Sequence, residues 1–168
     1  MSDIGLGAFS KWLAATSLSH TIQTTGWIIP SVQTVHILCV ATVFFSAIIV
    51  DLRIWRILQR DVPVGEVARR HIPTIWPVLA VLLLTGGVLI VGEPRRSLLN
   101  TTFYLKMGLL AVAIVLTAAL QRSIGASPGA WEGARGQRIG ARLTAVVSVA
   151  VWCGILFAGR WIAYTQAG

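Results

Sequence analysis

The sequence predicts an all-α polytopic membrane protein, a four-transmembrane-helix bundle preceded by an N-terminal interfacial amphipathic helix. Three observations predict it. The 168-residue chain is 55% hydrophobic and only 12% charged, whereas about a quarter of the residues in a soluble domain are charged. The apolar residues fall into four blocks, at about 28–52, 72–92, 102–120 and 143–164. Each is close to the ~20 residues that cross a hydrocarbon core. Basic residues gather in two of the connectors between the blocks. Spans and connectors consume nearly all of residues 1–168, so a single integral membrane domain is expected, with no room for a separate soluble one.

The net charge of +8 does not read as a nucleic-acid surface. Arg53, Arg56, Arg60, Arg69 and Arg70 lie between spans one and two, and Arg122, Arg135, Arg138 and Arg142 lie around the connector between spans three and four. Lys11, Arg95, Arg96, Lys106 and Arg160 belong to the opposite side. Basic connectors stay inside, which puts the two Arg-rich connectors on the cytoplasmic face and both termini outside. Aromatic residues agree: Trp27, Tyr104, Trp161 and Tyr164 form an outer belt, and Trp55, Trp76 and Trp131 an inner one. Cys39 and Cys153 fall within spans, where no framework disulfide is expected and two cysteines do not define a redox compartment. The first residues lack the basic, apolar and small-residue regions of a signal peptide, so Met1 onward is expected to be mature protein.

Along the chain, Ala8–Ile22 places Phe9, Leu13, Thr16 and His20 on one helical face. The segment is too short and polar to span, so it reads as the interfacial helix, at about residues 8–22. Thr24-Thr-Gly26 breaks it. Span one carries His36 roughly 10 Å below its outer boundary, at 1.5 Å per residue. His36, Val40, Val43 and Ala47 share a stripe that Asp51 continues, with Cys39 on its flank. Asp51 and Arg53 close the span, and their plain reading is an interfacial anchor. Asp61-Val-Pro63 breaks the chain, Val64–His71 forms a short helical piece, and Pro73 and Pro77 stand near the start of span two. Gly86-Gly87 permits close helix approach.

Glu93 to Asn100 is a short outer connector, and Asn100 or Thr101 can cap span three. Lys106 enters about one turn down, near the depth of His36, with snorkelling as its plain reading. The Gly- and Pro-rich run from Gly125 to Gly136 is a connector. Span four has Ala150, Gly154 and Ala158 at intervals of four, a seam for packing another helix.

Several of these residues also form a family pattern. Trp12-Leu13, Trp27–Pro30, His36, Asp51-Leu52-Arg53, Arg69–Pro73 and Asn100–Lys106 resemble the bacterial four-helix membrane proteins grouped as DUF6644. That family is uncharacterised and distantly like copper-resistance D-type membrane domains. The resemblance covers about residues 12–120. It implies membrane location and points to His36, Asp51, Arg53 and Lys106 without supplying an activity; with the charge rule, the expected setting is the bacterial inner membrane with both termini periplasmic. His20 and His71 lie outside the pattern.

An ionisable residue inside a membrane is a functional candidate by default, so the expected site is a polar pocket centred on His36 near the outer face. Lys106, Arg160 and His20 are its candidate cofactor-binding partners, with Glu93 just above. Three functions compete. Haem b or a quinone could bind, with cations pairing to propionates and His36 and Lys106 donating to a quinone; bis-His haem would need His20 to fold inward. Copper handling would use His36 and Cys39 as metal ligands, with Met107 and Cys153 nearby. The leading expectation is an accessory or assembly subunit. There is no nucleophile–base pair, zinc signature or phosphate loop, so no catalytic residue is nominated and no stand-alone enzyme is expected. Its partners would be the lipid bilayer and other membrane subunits or further copies of itself.

Overall fold

The computed structural model describes residues 2–126, 135–162 and 164, with side chains from Gly5 to Ala126, from Ile139 to Ile162, and at Tyr164. All the described elements are helices: α1 Ser2–Ala14, α2 Ser17–Thr24, α3 Ile28–Ile54, α4 Val64–Gly92, α5 Pro94–Leu98, α6 Thr101–Ala126 and α7 Arg135–Trp161. Four are long and apolar enough to cross a membrane: α3, α4, α6 and the Ile139–Trp161 part of α7. They pack as a four-sided bundle in which α3 lies between α4 and α7, and α6 lies between α4 and α7.

The first crossing helix begins where its backbone can spare a donor. Pro30 sits in the first turn of α3, where the missing N–H has no intrahelical partner to lose. Down α3, Val43, Ala47, Val50 and Asp51 are buried on one side, the stripe expected from their spacing. α4 corrects a boundary. Val64–His71 is not a separate piece, and the helix runs through both Pro73 and Pro77. Those prolines face outward while Ile72, Ile75, Leu79 and Leu82 are buried on the packed side. Helix packing on both sides of the prolines holds the axis together, as membrane bundles allow.

The Arg-rich end extends beyond the apolar spans. α6 continues to Ala126, and α7 begins eight residues before Leu143. The reason is a core that does not stop at the apolar boundary. Ile49, Val50, Ile54, Val64, Val67, Ala68, Ile72, Ile124, Ala141 and Ala145 form one buried cluster there. A second cluster, including Val43, Ile75, Leu79, Leu110, Trp152 and Ile155, fills the rest of the bundle. α3 leaves the Arg-rich end through a Schellman turn: the Ile57 amide donates to Leu52 O and the Arg56 amide to Arg53 O. The turn places Arg56 in the left-handed region, with φ 61°.

The N-terminal segment is two helices rather than one. Thr16, expected on an apolar face, instead caps α2 by accepting from the Ser19 amide at 3.3 Å. The break changes which side chains of α2 face the bundle. Ser19 and Ile22 point inward and His20 is exposed. Ser19 Oγ donates to Val91 O at 2.7 Å and accepts from Gln23 Nε2 at 2.9 Å. A Cβ at Gly92 would stand 2.9 Å from Ile22 Cγ2, so glycine there is what lets α2 lie against the end of α4. α1 packs on α5.

The expected seam on α7 holds in part. Gly154 receives Leu109 Cδ1, 3.1 Å from where a Cβ would lie, and Ala158 is buried. Ala150 faces outward. Trp27, Tyr104, Trp161 and Tyr164 are exposed. Trp55 and Trp76 instead tie helices together, their Nε1 groups donating to Arg142 O at 3.2 Å and Gln121 Oε1 at 2.8 Å. Trp131 and the side chains of Arg135 and Arg138 lie outside the described residues.

Candidate functional site

His36 is half-buried on α3 and faces α4. Its ring lies against Gly86, where a Cβ would meet Cε1 at 3.4 Å. The Gly86-Gly87 pair was expected to bring helices together, and Gly86 is the member that makes room for the imidazole. Nδ1 is 2.9 Å from Thr85 Oγ1. The Thr85 hydroxyl is 2.9 Å from Val81 O and 3.1 Å from Leu82 O, and it has one proton to give. With that proton committed to its own helix, Oγ1 accepts from the ring, so Nδ1 carries the hydrogen. The Leu82 carbonyl is a second acceptor beside the ring. Nε2 then holds a lone pair. This is the tautomer of a histidine able to accept a proton or ligate a metal, oriented through its other nitrogen.

Of the residues expected around His36, Lys106 is brought to it across the bundle. It is half-buried, and its ammonium lies within electrostatic reach of the imidazole. Nζ rests against α7, 3.6 Å from where a Cβ on Gly159 would be. Arg160 turns to its own helix end: its guanidinium donates to Tyr164 Oη at 2.7 Å and lies 5.0 Å from that ring's centroid. Glu93 pairs with Arg96 at 2.8 Å. Asn100 is buried and caps α6, its Oδ1 accepting from the Thr102 amide at 2.9 Å. His20 is exposed on α2. Cys39 and Cys153 are free and half-buried. Among the described residues no three of His, Cys, Asp and Glu come together as a metal set.

Asp51 and Arg53 are not side by side at an interface. Asp51 is 2% exposed, turned into the bundle, and Ser148 of α7 faces it as a hydrogen-bond donor. Arg53, 4% exposed, holds the first connector by donating from Nε to Val62 O. Sequence reasoning missed both Thr85 and Ser148. A signal existed for each: a hydroxyl residue beside the glycine pair, and Thr144 and Ser148 four apart within an apolar span.

Fold and site together define a multi-pass membrane helical bundle with His36 toward one end of its first crossing helix and Asp51 toward the other. The chain matches the family of unknown function DUF6644 over residues 9–165 and belongs to that family. No curated protein and no solved structure matches it.

Proposed function

We propose that this chain is a non-catalytic accessory or assembly subunit of a membrane complex, in which His36 offers Nε2 to a cofactor or a side chain of the assembly. The observation that carries the reading is the Nδ1–Thr85 bond, which orients the ring and leaves a lone pair on its other nitrogen. The arginine distribution supports an inner-membrane setting with the Arg-rich end cytoplasmic and the termini periplasmic.

A haem of the chain's own is the second reading, because the same tautomer suits axial ligation. It lacks a second axial histidine, since His20 is exposed on α2. A quinone carbonyl is served less well, because Nε2 accepts rather than donates. Copper would have to be held by His36 and Cys39 without a third His, Cys, Asp or Glu among the described residues.

The test is purification of the tagged chain from its native membrane in mild detergent, with a reduced-minus-oxidised spectrum and metal analysis of the same sample. The expected result is co-elution with a second membrane chain in fixed proportion, and loss of that chain or of its chromophore in His36→Ala. A single chain carrying its own Soret and α-bands would replace this reading with a haem protein. A colourless, metal-free single chain would end both.

A further inference from the structure

Asp51, toward the Arg-rich end of α3, is turned into the bundle. Asp51 is almost wholly buried, and its Oδ2 has no hydrogen-bond partner. Beside it is a cavity of about 20 Å³, enough for one water-sized guest. Its polar lining is Asp51 from α3, Thr117 from α6, and Thr144 and Ser148 from α7, with apolar walls such as Val50 and Ile75. Thr144 and Ser148 are four residues apart and so share one face of α7. The Thr144 hydroxyl gives its proton to Gly140 O at 3.0 Å, which leaves lone pairs on that oxygen.

A carboxylate in such a place must be neutralised. Arg53 does not do it, being two positions on, where helix side chains do not face each other, and donating to the connector at Val62. Among the described residues no cation pairs with Asp51.

We propose that this cavity binds one small monovalent cation, sodium being the test ion, held by the Asp51 carboxylate and the hydroxyl oxygens of Thr117, Thr144 and Ser148. The donors are all oxygen, which selects a hard ion over a soft one. One carboxylate balances one positive charge, whereas a divalent ion would leave net charge inside the bundle. The size of the cavity favours a small, largely dehydrated ion. This site is separate from His36 and does not depend on the subunit reading.

Two measurements on the purified full-length chain test it. Radiosodium binding is expected at one ion per chain, displaced by unlabelled sodium and not by choline. The thermal midpoint in detergent is expected to rise with sodium chloride and not with choline chloride at equal ionic strength, because an ion bound only by the folded state stabilises it. Asp51→Asn keeps the side-chain shape and is expected to abolish both responses. Thr117→Val, which needs no change in charge to fold, is expected to raise half-saturating sodium about tenfold for one lost oxygen, with Thr117→Ser restoring it. A wild-type chain that binds no radiosodium overturns the proposal and leaves Asp51 a carrier of a proton. So does an equal response to choline, or an undiminished sodium response in Asp51→Asn or Thr117→Val.

Discussion

His36 and Asp51 sit on the same helix, fifteen residues and about 22 Å apart, and their surroundings differ in kind. The histidine end is half-open. Its ring lies on a glycine, gives one bond to a threonine of the neighbouring helix, and keeps a lone pair on its other nitrogen. The aspartate end is closed. The carboxyl lies beside a ten-residue apolar cluster and faces hydroxyls from two helices across a small cavity. Depth along a span therefore says little about how a polar group is satisfied. What matters is whether the facing helices bring a small residue, which opens the site, or bulk, which seals it.

Three sets of substitutions probe this contrast, from the largest expected effect to the smallest. Ala145 is 0% exposed in the closed cluster, and Ala145→Leu is expected to cost about 2–3 kcal/mol by overpacking. Val146→Leu, on the outward face next to it, should lie within about 0.5 kcal/mol of wild type. Thermal unfolding in detergent compares the two, and equal tolerance would mean that the Arg-rich end is not closed.

At the other end, His36→Ala and Thr85→Val should each cost about 0.6 kcal/mol, the average for a hydrogen bond between membrane helices. The double variant should cost less than their sum, since both remove the same bond. Strict additivity would show that the Nδ1–Oγ1 contact contributes nothing.

The smallest effect concerns the turn that leaves α3. Arg56 holds a left-handed conformation that glycine adopts without strain, so Arg56→Gly should stabilise by about 0.5 kcal/mol, the relieved Cβ strain less the entropy that glycine loses on folding. A loss of stability would show instead that the Arg56 side chain matters more than its backbone strain.

Much of the architecture was legible in the sequence. Four apolar blocks became four crossing helices, the stripe from Val43 to Asp51 is buried as its spacing required, and Asn100 caps the helix it precedes. The errors came from places where a local signal met tertiary packing. Pro73 and Pro77 look like a helix start, yet they face outward from a helix buried on its other side. Phe9, Leu13, Thr16 and His20 look like one face, yet Thr16 ends one helix and caps the next, which turns His20 outward.

The expected site followed the same division. His36 was visible as an ionisable residue in an apolar run, and Lys106 does lie within reach of it. Arg160, expected at its level, and Glu93, expected just above, are taken by Tyr164 and Arg96. Asp51 looked like an anchor because Arg53 and Arg56 come so soon after it in the chain.

By itself, the order of residues determined that four helices are apolar enough to cross a membrane and where along each helix a polar side chain interrupts the apolar run. Hydropathy is a sum over contiguous residues, so it needs no knowledge of neighbours. Only the tertiary structure decided that His36 meets Thr85 over Gly86, and that Asp51 turns to Ser148 rather than to the arginines. Those outcomes depend on the rotation of each helix about its axis, and that angle is set by side chains on the other three.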